Sequence, residues 1–444
     1  MTQYISRRGF LAGAGALALG AGLAACSGGN GGATSSASSA STDAGKVTGL
    51  TWSTWGATDE LKRMTEFTDD FNKNHPLIKA TLQPVPSYGD YNTKLLSQLT
   101  SGTAPDVFYI GDDVIGKYVD ADVLLPLGDL LRGSSSQSKP DDFGDGLWSV
   151  ARDGDTILAV PNDCNPDVFW YDKTALAAAG ITDDPAELAA AGKWTVATLL
   201  DMCAKLADKG MAGAIFWNYW ATHWSWVVAN GGTVYDDSGA FVLPDDAKSV
   251  AALDSLAKAF QSKQFLVADD LPAGGDLDSL FAAHKAGFAV QGRYTISVAQ
   301  QSGSPDQYDI APWPSTSGEI PASGVAASYL AINKNTPHPE QAFEFLTNYV
   351  SAAGQKFRLA GGGNAVPSIK GADDIVLDGY PAHAQTFLDL RDKGFEDFVP
   401  EVKVPGLSGD ITTAMADLYS GAADTAATVA AVQKLIDDAN ADGS

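Results

Sequence analysis

Apolar positions along the chain switch between two periods. Val47-Thr48-Gly49-Leu50-Thr51-Trp52 is a short β-rich run. From Asp59 to Asn74, Leu61, Met64, Phe67 and Phe71 recur at helical spacing, and His75-Pro76 ends the run. Ile78 to Val85 predicts a second strand. Tyr91 to Leu99 predicts a helix with Leu95, Leu96 and Leu99 to one side, and Asp106 to Ile110 a buried strand closed by Gly111. Strand, helix, strand, helix, strand is the pattern of a parallel or mixed sheet covered by helices. A second run of this kind begins near Ile157. It has a strand at Val168–Tyr171 and a helix from Thr195, a suitable N-cap, to Lys209 before Gly210. A helix at Ala247–Phe260 and strands at Ala289–Gly292 and Tyr329–Ile332 follow. A helix with Pro339 at its first position and closing helices at Asp410–Tyr419 and Ala422–Ala439 complete the pattern. The fold class expected is α/β.

The first 45 residues follow neither period. Ser6-Arg7-Arg8-Gly9-Phe10-Leu11 leads into an uncharged run of Gly, Ala and Leu that is too short to span a membrane comfortably. A basic start and a short apolar stretch make an export signal over residues 1–25. The Arg pair with Ser, Phe and Leu resembles a twin-arginine signal, a general secretion signal being the alternative. Leu23-Ala24-Ala25-Cys26 resembles a bacterial lipobox, in which the Cys is lipidated and becomes the mature N-terminus. Residues 27–45 hold almost nothing that can be buried and read as a Ser/Gly tether of about 25 Å reach.

Composition narrows the functions. The 444 residues carry 29 Lys and Arg against 54 Asp and Glu, a formal charge of −25. Such a surface repels phosphate backbones, which argues against nucleic acid as a partner. Five His and three Cys, with no paired Cys motif, offer no metal site and no cofactor. Cys164 and Cys203 are expected to be free thiols, pairing being the alternative. The chain lacks the nucleophile elbow, the zinc-helix motif and the phosphate loop.

Several strings in order resemble the carbohydrate-binding group of the extracellular solute-binding proteins of ATP-binding-cassette importers, the group that includes maltose-binding protein. They are Trp52-Ser53-Thr54-Trp55-Gly56, Tyr88-Gly89-Asp90-Tyr91, Gly102-Thr103-Ala104-Pro105-Asp106-Val107 and Ala159-Val160-Pro161-Asn162 with Trp170-Tyr171-Asp172-Lys173. Asn230-Gly231-Gly232, Gln291-Gly292-Arg293-Tyr294 and Gly361-Gly362-Gly363-Asn364-Ala365-Val366-Pro367 continue the series. The resemblance covers roughly residues 47–370. It implies two α/β lobes with a ligand cleft between them: residues 46–162 with 311–360, and 163–310 with 361–444. Crossings are then expected near Asn162, Ala311 and Gly361. It also implies a monomeric, lipid-anchored protein on the outer face of the bacterial cytoplasmic membrane. Its partners would be a mono- or oligosaccharide and the importer's permease subunits.

A sugar needs aromatic faces for its C–H surface and polar side chains for its hydroxyls. Trp55, Asp112 and Asp113 follow predicted strands at their carboxyl ends, where ligands sit in open α/β sheets. Tyr88 begins a helix after a loop. Four of the ten tryptophans fall within Trp217–Trp226. Trp217, Trp220 and Trp224 share a helical face, and Trp217 and Trp220 are the expected platform, with Trp226 left to the core and His223 structural. Asn162 and Asn165 lie on the implied crossover. Arg293 and Tyr294 follow a strand, Trp313 is held between two prolines, and Gly362 and Asn364 lie in a turn whose backbone can approach a ligand. An exported glycoside hydrolase is the alternative, since it too uses aromatics and acids, but no catalytic carboxylate pair stands out.

The anchor is directly testable. Cys26→Ala is expected to move the exported protein from the membrane to the soluble fraction with an unchanged melting temperature. Arg7→Lys with Arg8→Lys is expected to stop export. A Cys26→Ala protein that stays on the membrane would overturn the anchor, and normal export of the double variant would replace the twin-arginine route by the general one.

Overall fold

The computed structural model describes residues 46–56, 58–85, 87–236, 238–271 and 276–442. The expected leader, Cys26 and the tether lie outside them. Among the described residues twelve strands occur in chain order: β1 (Thr48–Trp55), β2 (Ile78–Val85), β3 (Val107–Gly111), the small pair β4 (Arg152–Asp153) and β5 (Thr156–Ile157), β6 (Ala159–Pro166), β7 (Val168–Asp172), β8 (Ala212–Phe216), β9 (Phe265–Val267), β10 (Ala286–Gln291), β11 (Tyr308–Ala311) and β12 (Val325–Ile332).

Two five-stranded sheets result, ordered β2-β1-β3-β12-β6 and β11-β7-β10-β8-β9. In the first, β1 pairs in parallel with β2 and β3, and β12 runs antiparallel to β3 and β6. In the second, β8 pairs in parallel with β9 and β10, while β7 runs antiparallel to β10 and β11. The chain reverses its direction of travel between β1 and β3 in one sheet and between β8 and β10 in the other. Crevices open beyond the strand ends at such reversals.

The helices form where the periodicity places them. Ser87 caps the helix Tyr88–Ser101 by accepting from the Asp90 N–H, and Gly102 ends it at φ 71°. Thr195 caps Val196–Ala207 through the Thr198 N–H, and Pro339 opens Pro339–Val350. Each sheet buries its own aromatic core. Trp52, Phe67, Phe71, Phe345 and Tyr349 pack under the first, and Phe169, Trp194, Phe216, Trp226, Phe288 and Trp313 under the second. The Trp52 indole donates to Thr68 Oγ1 at 3.0 Å, so a fully buried indole keeps a partner. Cys164 and Cys203 are free and buried. No described helix is long and apolar enough to cross a membrane.

The chain steps from the first sheet to the second through one residue, Asp167, between β6 and β7, and returns between Ala311 and Val325. The expected crossing near Gly361 looks different in detail. Val366 pairs with Cys164 of β6 and Ile369 with Phe143, so this stretch runs beside the first sheet before Phe395 pairs with Gly324. The helices Leu407–Ser420 and Thr425–Asp442 then pack on Ala247–Gln261.

Beside the step, buried Arg358 donates to the Asn162 carbonyl at 3.2 Å, to Asn162 Oδ1 at 3.0 Å and to Asp163 Oδ2 at 3.3 Å. Its guanidinium also lies 4.0 Å from the centre of the Tyr349 ring. Removing a buried charge strands its partner, so Arg358→Ala is expected to lower stability by about 3–5 kcal/mol in urea unfolding. A loss below about 1 kcal/mol, the scale of an exposed ion pair, would show that Asp163 does not depend on it.

Candidate functional site

The carboxyl ends of β1 and β3 face those of β8 and the start of the next helix across a cavity of about 510 Å³. On the first side, β1 ends at Trp55, whose ring meets Tyr88 at 4.9 Å and 53° and Tyr109 at 6.4 Å and 82°. The strand β3 ends at Gly111, where a Cβ would lie 1.9 Å from Tyr88 Oη and 2.8 Å from Asp113 Oδ1, so any side chain there would displace both. That bare backbone lets the Tyr88 hydroxyl donate to Asp113. Asp112 also lines the cavity, with Oδ2 buried and unpartnered. Burial first, then the Asp113 and Asp397 carboxylates, push its pKa well above the usual carboxylate range.

On the second side, β8 ends at Phe216 and a helix starts at Trp220. Asn218, Tyr219 and Trp220 line the cavity. The Asn218 N–H donates to Asp269 Oδ2 at 3.3 Å and its Nδ2 to the Thr412 carbonyl at 3.2 Å, which hold the turn. The floor comes from β6 and β12, through Asp163, Asn165 and Ser328. The segment from Glu401 to Thr412 closes one wall. Glu401 accepts from Tyr235 at 2.9 Å and from the Trp224 indole at 3.3 Å, and burial pushes it up to about 7.

Of the residues expected from sequence, the cavity brings together Trp55, Tyr88, Asp112, Asp113, Asn165 and Trp220. The others stand elsewhere for visible reasons. Trp217 precedes the helix, so it does not share a face with Trp220 and Trp224, and it is 37% exposed. Trp224 is fully buried and reaches the cavity only by holding Glu401. Asn162 is buried on Arg358 and Ser328. Arg293 is buried and spends its guanidinium on the carbonyls of Leu359, Gly363, Ala365 and Ile375. It thereby pins the turn that contains Gly362 and Asn364, neither of which lines the cavity. Burial lowers the Arg293 pKa to about 10, which leaves it charged at neutral pH. Half-buried Tyr294 stands outside the cavity, and Trp313 is a core residue whose indole donates to the Asp167 carbonyl at 2.9 Å. Trp226 and His223 are buried. The His223 pKa is pushed down to about 3 by burial, so the ring is neutral and structural.

Sequence reasoning passed over Tyr109, Lys117, Asn218, Tyr219, Ser328 and the segment Glu401–Thr412. Tyr109 had one signal, a phenol hydroxyl in the otherwise apolar run Val107–Ile110, and it is the one half-buried position of β3. The closing segment had only Pro405-Gly406, a turn that says nothing about its neighbour in space.

At the crossover, Asp167 accepts from the hydroxyl of cavity-lining Tyr219, and burial raises its pKa from 3.8 to about 7. The folded state therefore holds a proton that the unfolded chain releases above about pH 4. That contribution to stability is full at low pH and falls as pH rises from about 4 to 7, by roughly 4 kcal/mol. Asp167→Asn is expected to remove this part of the fall, measured as unfolding free energy against pH beside wild type. Parallel pH curves would show that Asp167 titrates normally.

Residues 56–356 match the family model of the bacterial extracellular solute-binding proteins. No curated protein matches the chain. Among solved structures, an ABC substrate-binding protein from Listeria monocytogenes, in complex with cycloalternan, is 19% identical with a TM-score of 0.75, covering 89% of this chain and 98% of that one. The GacH receptor of Streptomyces glaucescens, solved unliganded and with acarbose, is 18% identical with a TM-score of 0.73, covering 88% and 98%. A solute-binding protein from Thermotoga lettingae bound with α-D-tagatose is 17% identical with a TM-score of 0.73, covering 88% and 99%. These likenesses establish the two-lobed fold.

Proposed function

The chain belongs to the bacterial extracellular solute-binding proteins, and from that premise we propose that its cleft captures a sugar or short oligosaccharide and delivers it to the permease of an ATP-binding-cassette importer. The observation that carries this reading is the pairing of aromatic faces with acids at one crevice. Trp55 and Tyr88 lie tilted at 4.9 Å beside Asp112 and Asp113, across from Asn218, Tyr219 and Trp220. Aromatic faces take the C–H side of a sugar ring, and carboxylates accept strongly from hydroxyls. The cavity also falls within the range of about 300–1,000 Å³ usual for small-molecule sites. Solved structures of the same fold bear cycloalternan, acarbose and tagatose, which supports a carbohydrate as the class.

Each sheet forms the heart of one lobe in this reading, with Asp167 and the stretch from Ala311 to Val325 as crossings. Residues 361–372 then belong beside the first lobe and the helices from Leu407 onward beside the second. A ligand touching both lobes is held fully only when they approach, so binding favours the closed state, which the permease can distinguish from the open one. Attachment through Cys26 keeps the protein, as a monomer, at the membrane surface where the permease is.

The test is a calorimetric and thermal-shift screen of the mature chain against a glycan panel. One sugar or more is expected to bind, raise the melting temperature, lower the radius of gyration in solution scattering and stay chemically intact. Trp55→Ala is expected to weaken that binding by roughly 1–3 kcal/mol. Released reducing ends would replace capture by hydrolysis, and a sugar bound equally by Trp55→Ala would remove the aromatic platform.

A further inference from the structure

Four carboxyl groups line the cavity, Asp112, Asp113, Asp163 and Glu401. A sugar that fills it expels water, and a carboxyl that loses water without gaining a cation is driven towards its neutral form. Burial already pushes Asp112 well above the usual carboxylate range and Glu401 up to about 7. Asp113 is exposed and accepts the Tyr88 hydroxyl. Asp163 is built differently. Arg358 donates to its Oδ2 at 3.3 Å, and Arg358 does not itself line the cavity, so the compensating charge lies behind the floor. The Asn162 amide donates to the same oxygen at 3.1 Å. An ion pair supported by further hydrogen bonds keeps its charges when water leaves.

Asp163 also has room for a ligand. Its side chain is 12% exposed, and Oδ1 holds one donor, the Ser328 hydroxyl at 2.6 Å, where a carboxylate oxygen can accept two. Cys164, the next residue, turns to the other face of β6 and is fully buried, its Sγ 3.7 Å from the Val366 carbonyl. Asn165 then returns to the cavity, as strand alternation requires. Its Oδ1 accepts from the Arg293 N–H at 2.9 Å, which leaves its Nδ2 as the group it offers. The floor thus presents an acceptor and a donor two positions apart, roughly 7 Å along the strand. With hydrogen bonds of about 2.8 Å, two neighbouring hydroxyls fit that spacing better than one.

We propose that Asp163 is a specificity-determining residue of the cleft: its carboxylate accepts from one hydroxyl of the bound sugar while Asn165 donates to the neighbouring hydroxyl. This rests on the sugar-capture reading and names what the cleft selects, a sugar with free hydroxyls on two adjacent ring carbons. Arg358 is a positioning residue in this arrangement and reaches the sugar only through the floor it holds. The aromatic faces of Trp55 and Tyr88 take a sugar ring whatever its hydroxyls. A group built to hold one hydroxyl rejects the analogue that lacks it, because the polar group is then left unpaired.

The test is calorimetric titration of the mature chain with glucose, galactose, tagatose and maltose, and, for each that binds, with its monodeoxy and deoxyfluoro analogues. Fluorine cannot donate, so at the hydroxyl that Asp163 accepts from both analogues are expected to bind about tenfold or more weakly than the parent, the scale of one hydrogen bond to a charged group. Asp163→Asn is expected to weaken the parent by a like factor and to lower the parent-to-deoxy ratio at that one position several-fold, with the ratios at other positions unchanged. Melting temperature reports whether the variant folds, and Asp163→Asn with Arg358→Gln, which removes the stranded charge, serves if it does not. Equal weakening of the parent and every analogue would show a structural role alone and overturn the proposal, as would unchanged binding. A sugar for which no position loses tenfold with both analogues overturns it on the wild-type chain, without any variant. Sugar capture stands in each of these cases. Failure of every sugar to bind overturns sugar capture and the role of Asp163 together.

Discussion

The step at Asp167 is the constraint on which the cleft depends. One residue separates β6 of the first sheet from β7 of the second, so the two sheets cannot drift apart at that edge. The residue is fixed at every polar group. Its N–H donates to the Gly324 carbonyl at 3.0 Å, its own carbonyl accepts from the Trp313 indole, and its carboxyl accepts from Tyr219. The same short connection thus ties the return strand, the core of the second sheet and the wall of the cavity to one point. Asn165, two residues earlier, accepts the Arg293 N–H at 2.9 Å, and a Cβ at Gly292 would lie 2.7 Å from that amide oxygen. The Asn165 side chain at the edge of the first sheet therefore rests directly on the backbone that follows β10 of the second, at the floor of the cavity.

Much of this architecture is legible in the sequence because amphipathic elements announce their period. The helix Thr58–Asn74 and the strand β2 follow directly from apolar spacing, and Thr195 and Pro339 mark helix starts through local chemistry. The strand β6 does not announce itself. Pro161 and Pro166 enclose Asn162, Asp163 and Asn165, and no alternation survives. It becomes a strand only by pairing with β12, more than 150 residues later, across an irregular register at Ser328 and Tyr329. The aromatic cluster shows the converse failure. Trp217, Trp220 and Trp224 fit a helical period on paper, but β8 runs to Phe216 and the helix begins at Trp220, so the period starts three residues late. An apolar spacing cannot say where its element begins without a cap, and no side chain caps this helix.

The candidate site divides along the same line. Trp55, Asp112 and Asp113 are legible because they follow recognisable strands on the side where α/β sheets bind. Asn218 and Tyr219 obey the same rule, but the strand before them, Ala212–Phe216, follows the turn at Gly210 and opens with three small residues, which give no strand period. Glu401 and the segment to Thr412 obey no local rule at all. They reach the cavity because the helix Leu407–Ser420 docks on Ala247–Gln261, a contact between segments about 160 residues apart.

The fate of the tryptophans follows from their N–H groups. A buried indole gains from an acceptor, and three tryptophans of the second core have a carbonyl: Trp194 that of Pro312 at 2.8 Å, Trp226 that of Ala252 at 3.1 Å, and Trp313 that of Asp167. Trp224 uses a carboxyl instead, Glu401, and so couples the core to the cavity wall. Aromatic richness in this chain is therefore mostly structural. The faces left to a ligand are those at strand ends, where the sheet stops supplying neighbours. Half-buried Trp55 is such a face: β1 ends with it, the Tyr88 and Tyr109 rings lie beside it, and it lines the cavity.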